Sequence, residues 1–149
     1  MGVWFADPFG NNEASDFGDA FLKRPTAEFL SANLRAVSKA PTDAYLEAPD
    51  CERALAAAKI VAALAGNPAP KLPDDIVAWL AGTPDIKARA RLLAESVAAV
   101  RRVAEKSELQ ELWAEGESVQ EWTAAVEDLK ARLDSVAPVT VYQRFFGRT

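Results

Sequence analysis

Histidine is absent from this chain of 149 residues, and cysteine occurs once, at Cys51. Without imidazole, the commonest general base and the commonest metal ligand are gone. Serine–histidine and cysteine–histidine nucleophile pairs are excluded within the chain. A single thiol excludes an internal disulfide and any multi-cysteine zinc site, and no pattern calls for a cofactor. An excess of cations is missing too. Seventeen Lys and Arg against 22 Asp and Glu leave a net charge of −5 and a pI near 4.8. Nucleic-acid binding depends on neutralising phosphates, so nucleic acid is not an expected partner. A basic protein is, because an acidic surface attracts it. No apolar run approaches the ~20 residues that span a bilayer, and the first residues lack the basic start and apolar core of a secretory signal. Met1-Gly2 opens a myristoylation signal, but Ala6 stands where Ser or Thr is wanted. The expectation is a cytoplasmic protein with no membrane partner.

What is present reads as helix. Half the residues are apolar, and a chain of this length fits one domain burying roughly 70% of its unfolded surface. Periodicity and end signals predict an all-α fold of about seven helices, with no repeat of the roughly 20–50 residues that build solenoids. Asn11 or Asn12 is read as the cap of a first helix to about Leu22, with Pro25 as its stop. Thr26 caps a second, with Leu30, Leu34 and Val37 on one face. After a loop carrying Asp43-Ala44-Tyr45-Leu46-Glu47, Asp50 is read as the cap of a third helix that Gly66 ends. That helix is apolar nearly all round and rich in alanine, the pattern of a central helix that neighbours approach closely.

Pro73 opens a short fourth helix that Gly82 closes. Thr83-Pro84 is read as the start of the longest helix, with Ile86, Ala90, Leu93, Val97, Val100 and Ala104 in one stripe. Arg89, Arg91, Arg101 and Arg102, with Lys87 and Lys106, read there as a solvated face with intrahelical ion pairs. Ser107-Glu108-Leu109-Gln110 and Ser118-Val119-Gln120-Glu121 are capping boxes that place helix starts at 108 and 119. The last helix carries Val119, Trp122, Val126, Leu129 and Leu133 on its core face. Past Pro138 the β-favouring run Val139-Thr140-Val141-Tyr142-Gln143-Arg144-Phe145-Phe146 predicts a short extended C-terminal segment. The chain therefore divides into a helical domain, 1–136, that includes an N-terminal aromatic cap, and a C-terminal extension, 137–149.

Three places carry functional readings. The N-terminal segment, with Trp4, Asp7, Phe9, Asn11, Asn12 and Asp16, is either a folded cap or a binding surface anchored by Trp4. Glu47, Asp50 and Glu52, with Asp16 nearby in space, are the one carboxylate cluster left for acid–base chemistry or a hard cation, although capping and the helix dipole account for Asp50 and Glu52. Cys51 at a helix start could carry a lowered pKa, but buried cysteine acting as a small hydrophobe is commoner. Val139, Val141, Tyr142, Phe145 and Phe146 are a large apolar load for a chain end, and unpacked they would form an interface.

The pattern Met1-Gly2, Trp4, Pro8-Phe9, Asn11 and Ala14 to Phe17 resembles the opening of domain-of-unknown-function family 4259, a family of small bacterial proteins. The resemblance continues through Tyr45-Leu46-Glu47-Ala48-Pro49-Asp50-Cys51-Glu52, Leu72-Pro73, Trp79-Leu80, Ser107-Glu108-Leu109, Leu112-Trp113, Trp122 and Leu129 to Leu133. It implies a small helical domain and carries no catalytic residue across. The expected function is a non-enzymatic protein-binding module, immunity- or antitoxin-like in one form, with a basic protein partner. The alternatives are a small enzyme or metal-binding protein using Asp16, Glu47 and Glu52, and a homodimer joined through the tail.

Overall fold

The computed structural model describes the backbone of residues 8–70, 72–86, 89–116 and 119–145, and the side chains among these from 13 to 136. Seven helices make up the described chain: α1 (Pro8–Lys23), α2 (Ala27–Ser38), α3 (Ala48–Leu64), α4 (Asp74–Ala81), α5 (Arg89–Glu105), α6 (Glu108–Ala114) and α7 (Val119–Phe145). The all-α expectation holds, and no strand occurs among the described residues.

The centre is α3. Buried side chains point from every side of it, among them Ala54, Leu55, Ala56, Ala57, Ala58, Ile60 and Ala62. Its alanines add no bulk beyond Cβ, so α1, α2 and α5 all pack directly on it. In turn, α5 packs between this group and α7, burying Leu92, Leu93, Ala99, Val100 and Val103. Trp122, Val126, Leu129 and Leu133 of α7 are all buried, as their spacing predicted. Two aromatic joints fix the shorter helices. Phe21 of α1 meets Trp79 of α4 edge-on at 5.0 Å, and Trp113 of α6 stacks on Trp122 of α7 at 5.8 Å.

Helix ends show where local signals suffice. Thr26 Oγ1 accepts from the Phe29 amide at 3.1 Å, and Ser107 Oγ from the Gln110 amide at 3.0 Å, the capping bonds read from sequence. Gly66, at φ +92°, closes α3 with the Asn67 amide on the Ala62 carbonyl and its own amide on Ala63, each at 3.0 Å. That double bond is the Schellman ending, which needs a left-handed residue and so a glycine.

Five expectations are corrected. Asn11 and Asn12 do not cap α1, because the helix already begins at Pro8. Asp50 does not cap α3, which starts at Ala48 with Glu47 in the capping position and Pro49 in the first turn. In both cases a proline takes the first turn, where its fixed φ fits and its missing N–H costs nothing. Residues 83–86 are not helical, so Thr83-Pro84 does not open α5 and Ile86 packs from outside it. Nor is α5 the longest helix. The extended C-terminal segment is corrected as well: α7 has 27 residues and runs past Pro138 to Phe145. Once a helix exists, each added residue gains a hydrogen bond, whereas a lone strand has nothing to pair with.

Candidate functional site

Between α2 and α3 the chain crosses the surface in a loop, residues 39–47, that the rest of the protein grips firmly. A β-turn inside it closes with the Ala44 amide on the Pro41 carbonyl at 2.9 Å. From α5, Arg102 spreads its guanidinium over three of the loop's carbonyls: Nη1 donates to Ala40 at 2.9 Å, and Nη2 to Pro41 at 2.6 Å and Ala44 at 3.4 Å. The Leu46 side chain is buried, and its carbonyl accepts the Glu108 amide of α6 at 2.9 Å. Glu108 answers with its carboxylate, Oε1 accepting the Ala48 amide at 2.7 Å. The N-termini of α3 and α6 are thereby cross-capped, and Glu47, which occupies α3's own capping position, makes no side-chain bond there.

Tyr45 stands outward from this fixed loop, 59% exposed, with its hydroxyl donating to Glu111 Oε1 at 3.2 Å. Local desolvation, then the hydrogen bond and charge of Glu111, then the charge of Glu108, raise its pKa. Leu112, next along α6, is 50% exposed. Tyr45, Leu112 and Val77 are the large apolar side chains exposed among the described residues; Tyr45 bonds to Glu111 of α6, the helix that also carries Leu112. Asp43, Glu47, Glu105 and Glu115 are exposed on the segments that surround them. Ion pairs engage Arg53, Lys130 and Arg132, and among the described residues none reaches Asp43, Glu47, Glu105, Glu111 or Glu115. Lys39 and Lys106 are exposed at the ends of α2 and α5, so the face is acidic in sum rather than purely so.

The family model described as Domain of unknown function (DUF4259) matches residues 2–125. The chain belongs to that family. No curated protein and no solved structure matches it. The matched span contains the whole loop 39–47 and all of α6, and it stops inside α7, short of the buried Val126, Leu129 and Leu133.

The sequence-derived candidates separate in space. Trp4 and Asp7 lie outside the described residues, as does Phe146. Phe9, Asn11 and Asn12 fall within α1, and Val139, Val141, Tyr142 and Phe145 within α7, where the backbone alone is described. Asp16 lines an open groove of about 520 Å³ between α1 and α2, with Asp19, Lys23, Arg24 and Phe29. Neither Glu47 nor Glu52 lines it. Glu52 is buried in α3, Glu47 is exposed, and Asp50 pairs with Arg53, which also holds Glu13. Among the described residues no three cysteines or carboxylates gather as a metal site would require.

Cys51 is fully buried. Burial pushes its thiol up to about 11, against a downward pull from its hydrogen bond with Ser107, while Asp50, Glu52 and Glu108 add to the rise. It is the small hydrophobe of the commoner reading.

Proposed function

We propose that this chain is a non-enzymatic protein-binding module whose docking face is built from Tyr45, Leu112 and the carboxylates around them, and whose partner is a basic protein. The observation that carries the reading is the placement of Tyr45. A tyrosine on a firmly held loop, more than half exposed and bonded to a helix that also carries an exposed leucine, is the kind of rigid aromatic anchor on which interfaces concentrate their energy. Carboxylates without cationic partners around it select the sign of the other surface and speed its approach. A toxin with a basic active surface, blocked by an immunity- or antitoxin-like protein, is one partner of this chemistry. The apolar area is small, so the complex is expected to lean on charge and to weaken with salt.

The test places a photocrosslinking side chain at position 45, 112 or 77 of the full chain in its native host. Adducts from 45 and 112 to one basic protein, diminished by salt and absent from 77, are the expected result. No adduct at 45 or 112, the same adduct at 77, or an acidic partner would overturn the proposal.

A further inference from the structure

Ordering a surface loop costs conformational entropy, and a loop usually recovers it by burying side chains. Loop 39–47 recovers little that way. Leu46 is buried, but Pro41, Thr42, Asp43, Tyr45 and Glu47 are all exposed. The Pro41 carbonyl that Arg102 holds lies at the surface, where water would satisfy it without penalty, so that bond contributes shape more than stability; those to Ala40 and Ala44 are part-buried and contribute both. Arg102 spends its guanidinium on all three, and it makes no ion pair although Glu105 and Glu108 follow it closely in sequence. A planar guanidinium reaches the three carbonyls from two separate nitrogens in a fixed fork, whereas an ammonium has its three donors on one nitrogen and cannot reproduce that spread.

We infer that Arg102 is the positioning residue of the docking face, holding loop 39–47 in its binding shape before the partner arrives. The inference rests on the docking role proposed for Tyr45 and adds how that role is prepared. Its three bonds span the β-turn from Ala40 to Ala44, so the residue immediately before Tyr45 is fixed from below. On the other side Leu46 is buried and its carbonyl is bonded to the Glu108 amide. With both neighbours held, Tyr45 keeps little freedom beyond its own side-chain torsions. Binding then loses less entropy than it would with a loose loop, which is how preorganisation raises affinity.

Charge and preorganisation make opposite forecasts for the same substitution. Against a cationic ligand, Arg102→Ala removes a positive charge and should tighten binding by attraction alone. Loss of preorganisation should weaken it. Arg102→Lys keeps the charge, loses the fork, and is the milder change should the alanine variant fold poorly.

The experiment uses the full chain, an amphipathic leucine–lysine peptide as the probe, and two readouts: peptide affinity, and hydrogen exchange at the Ala44 amide that closes the turn. Both Arg102 variants are expected to exchange Ala44 faster and to bind roughly three- to tenfold more weakly, with Tyr45→Ala weaker as well. Unchanged exchange in both variants would overturn the clamp. Faster exchange with equal or tighter binding would overturn the positioning role, since charge would then dominate. Peptide binding indifferent to Tyr45→Ala would instead sink the docking face itself, and the inference with it. Binding that depends on Tyr45 but ignores Arg102 would leave the face standing and remove only the clamp.

Discussion

Replacing Glu108 should destabilise α3, a helix whose first residue lies sixty positions earlier in the chain. The usual expectation places a helix's N-terminal stabiliser in its own capping position, which for α3 is Glu47. Glu47 makes no such bond, and Ala48 donates its amide to Glu108 at 2.7 Å. Glu108→Ala removes one capping acceptor, worth about 0.5–2 kcal/mol. It also removes a negative charge at two helix N-termini, worth about 0.3–1 kcal/mol at an exposed site. Together the loss is about 1–3 kcal/mol, which for a domain of this size lowers Tm by ~3–9 °C. Glu108→Gln keeps an acceptor of the same shape and should lose about 0.5–1 kcal/mol. Glu47→Ala forfeits only a dipole contact and should cost under about 0.5 kcal/mol. Urea titrations of the three variants at neutral pH, with unchanged slopes, give the ordering directly. If Glu47→Ala cost as much as Glu108→Ala, the cross-cap would not be the element that starts α3, and the reasoning would fail.

Three further outcomes follow from the packing. A chain ending at Val136 should keep its cooperative melt, whereas one ending at 125, where the family match stops, should not fold, because Leu129 and Leu133 are fully buried and each contributes about 1.5–3 kcal/mol; circular-dichroism melts decide it. Trp122→Ala should cost about 3–5 kcal/mol, and a double-mutant cycle with Trp113→Ala should return ~0.5–1.5 kcal/mol for their stacked pair, a zero coupling denying that the pair joins α6 to α7. Cys51 should resist a thiol reagent at pH 8 in the native protein and react on unfolding. Its thiol is pushed up from 9.0 to about 11, so the unfolded chain loses the proton first and stability should fall as pH rises across that interval; a native thiol that reacts as fast as the unfolded one would contradict its burial.

Prolines separate what was legible in the sequence from what was not. Thr26, Ser107 and Gly66 act on residues within five positions of themselves, so their motifs read correctly. Asn11, Asn12 and Asp50 have equally good capping chemistry, yet Pro8 and Pro49 lie ahead of them in the first turns of their helices. Proline also misled in the other direction. Pro84 lies before α5 rather than in it, and Pro138 lies inside α7, where it forfeits one hydrogen bond without ending the helix. Central α3 was legible because an apolar pattern all round a helix has one physical outcome. The buried Lys59 was not, since it donates to the Pro70 carbonyl in the connector that follows the helix, an arrangement that side-chain spacing does not encode.

The candidate site was illegible for a related reason. Tyr45 stood in a loop, and whether a loop tyrosine faces inward depends on contacts with α6 that begin more than sixty residues later. Arg102 belonged to a run of arginines with ordinary solvent-face spacing, and its loop carbonyls lie about sixty residues upstream. No helical period distinguishes it from Arg101, whose side chain is exposed.

The extent of the family match bears on which surface could carry a shared role. The family match covers residues 2–125, and Tyr45, Arg102, Glu111 and Leu112 all lie inside it. The tail from 137 onward, with Val139, Val141, Tyr142, Phe145 and Phe146, lies outside the match. Light scattering on the full chain and on a chain ending at Val136 tells the two surfaces apart. A dimer that dissociates on truncation would assign self-association to the tail and leave the acidic face free for a different partner. If the truncated chain is still dimeric, the contact lies within the helical body, and substitution of Tyr45 or Leu112 then shows whether the proposed docking face is what joins the two copies.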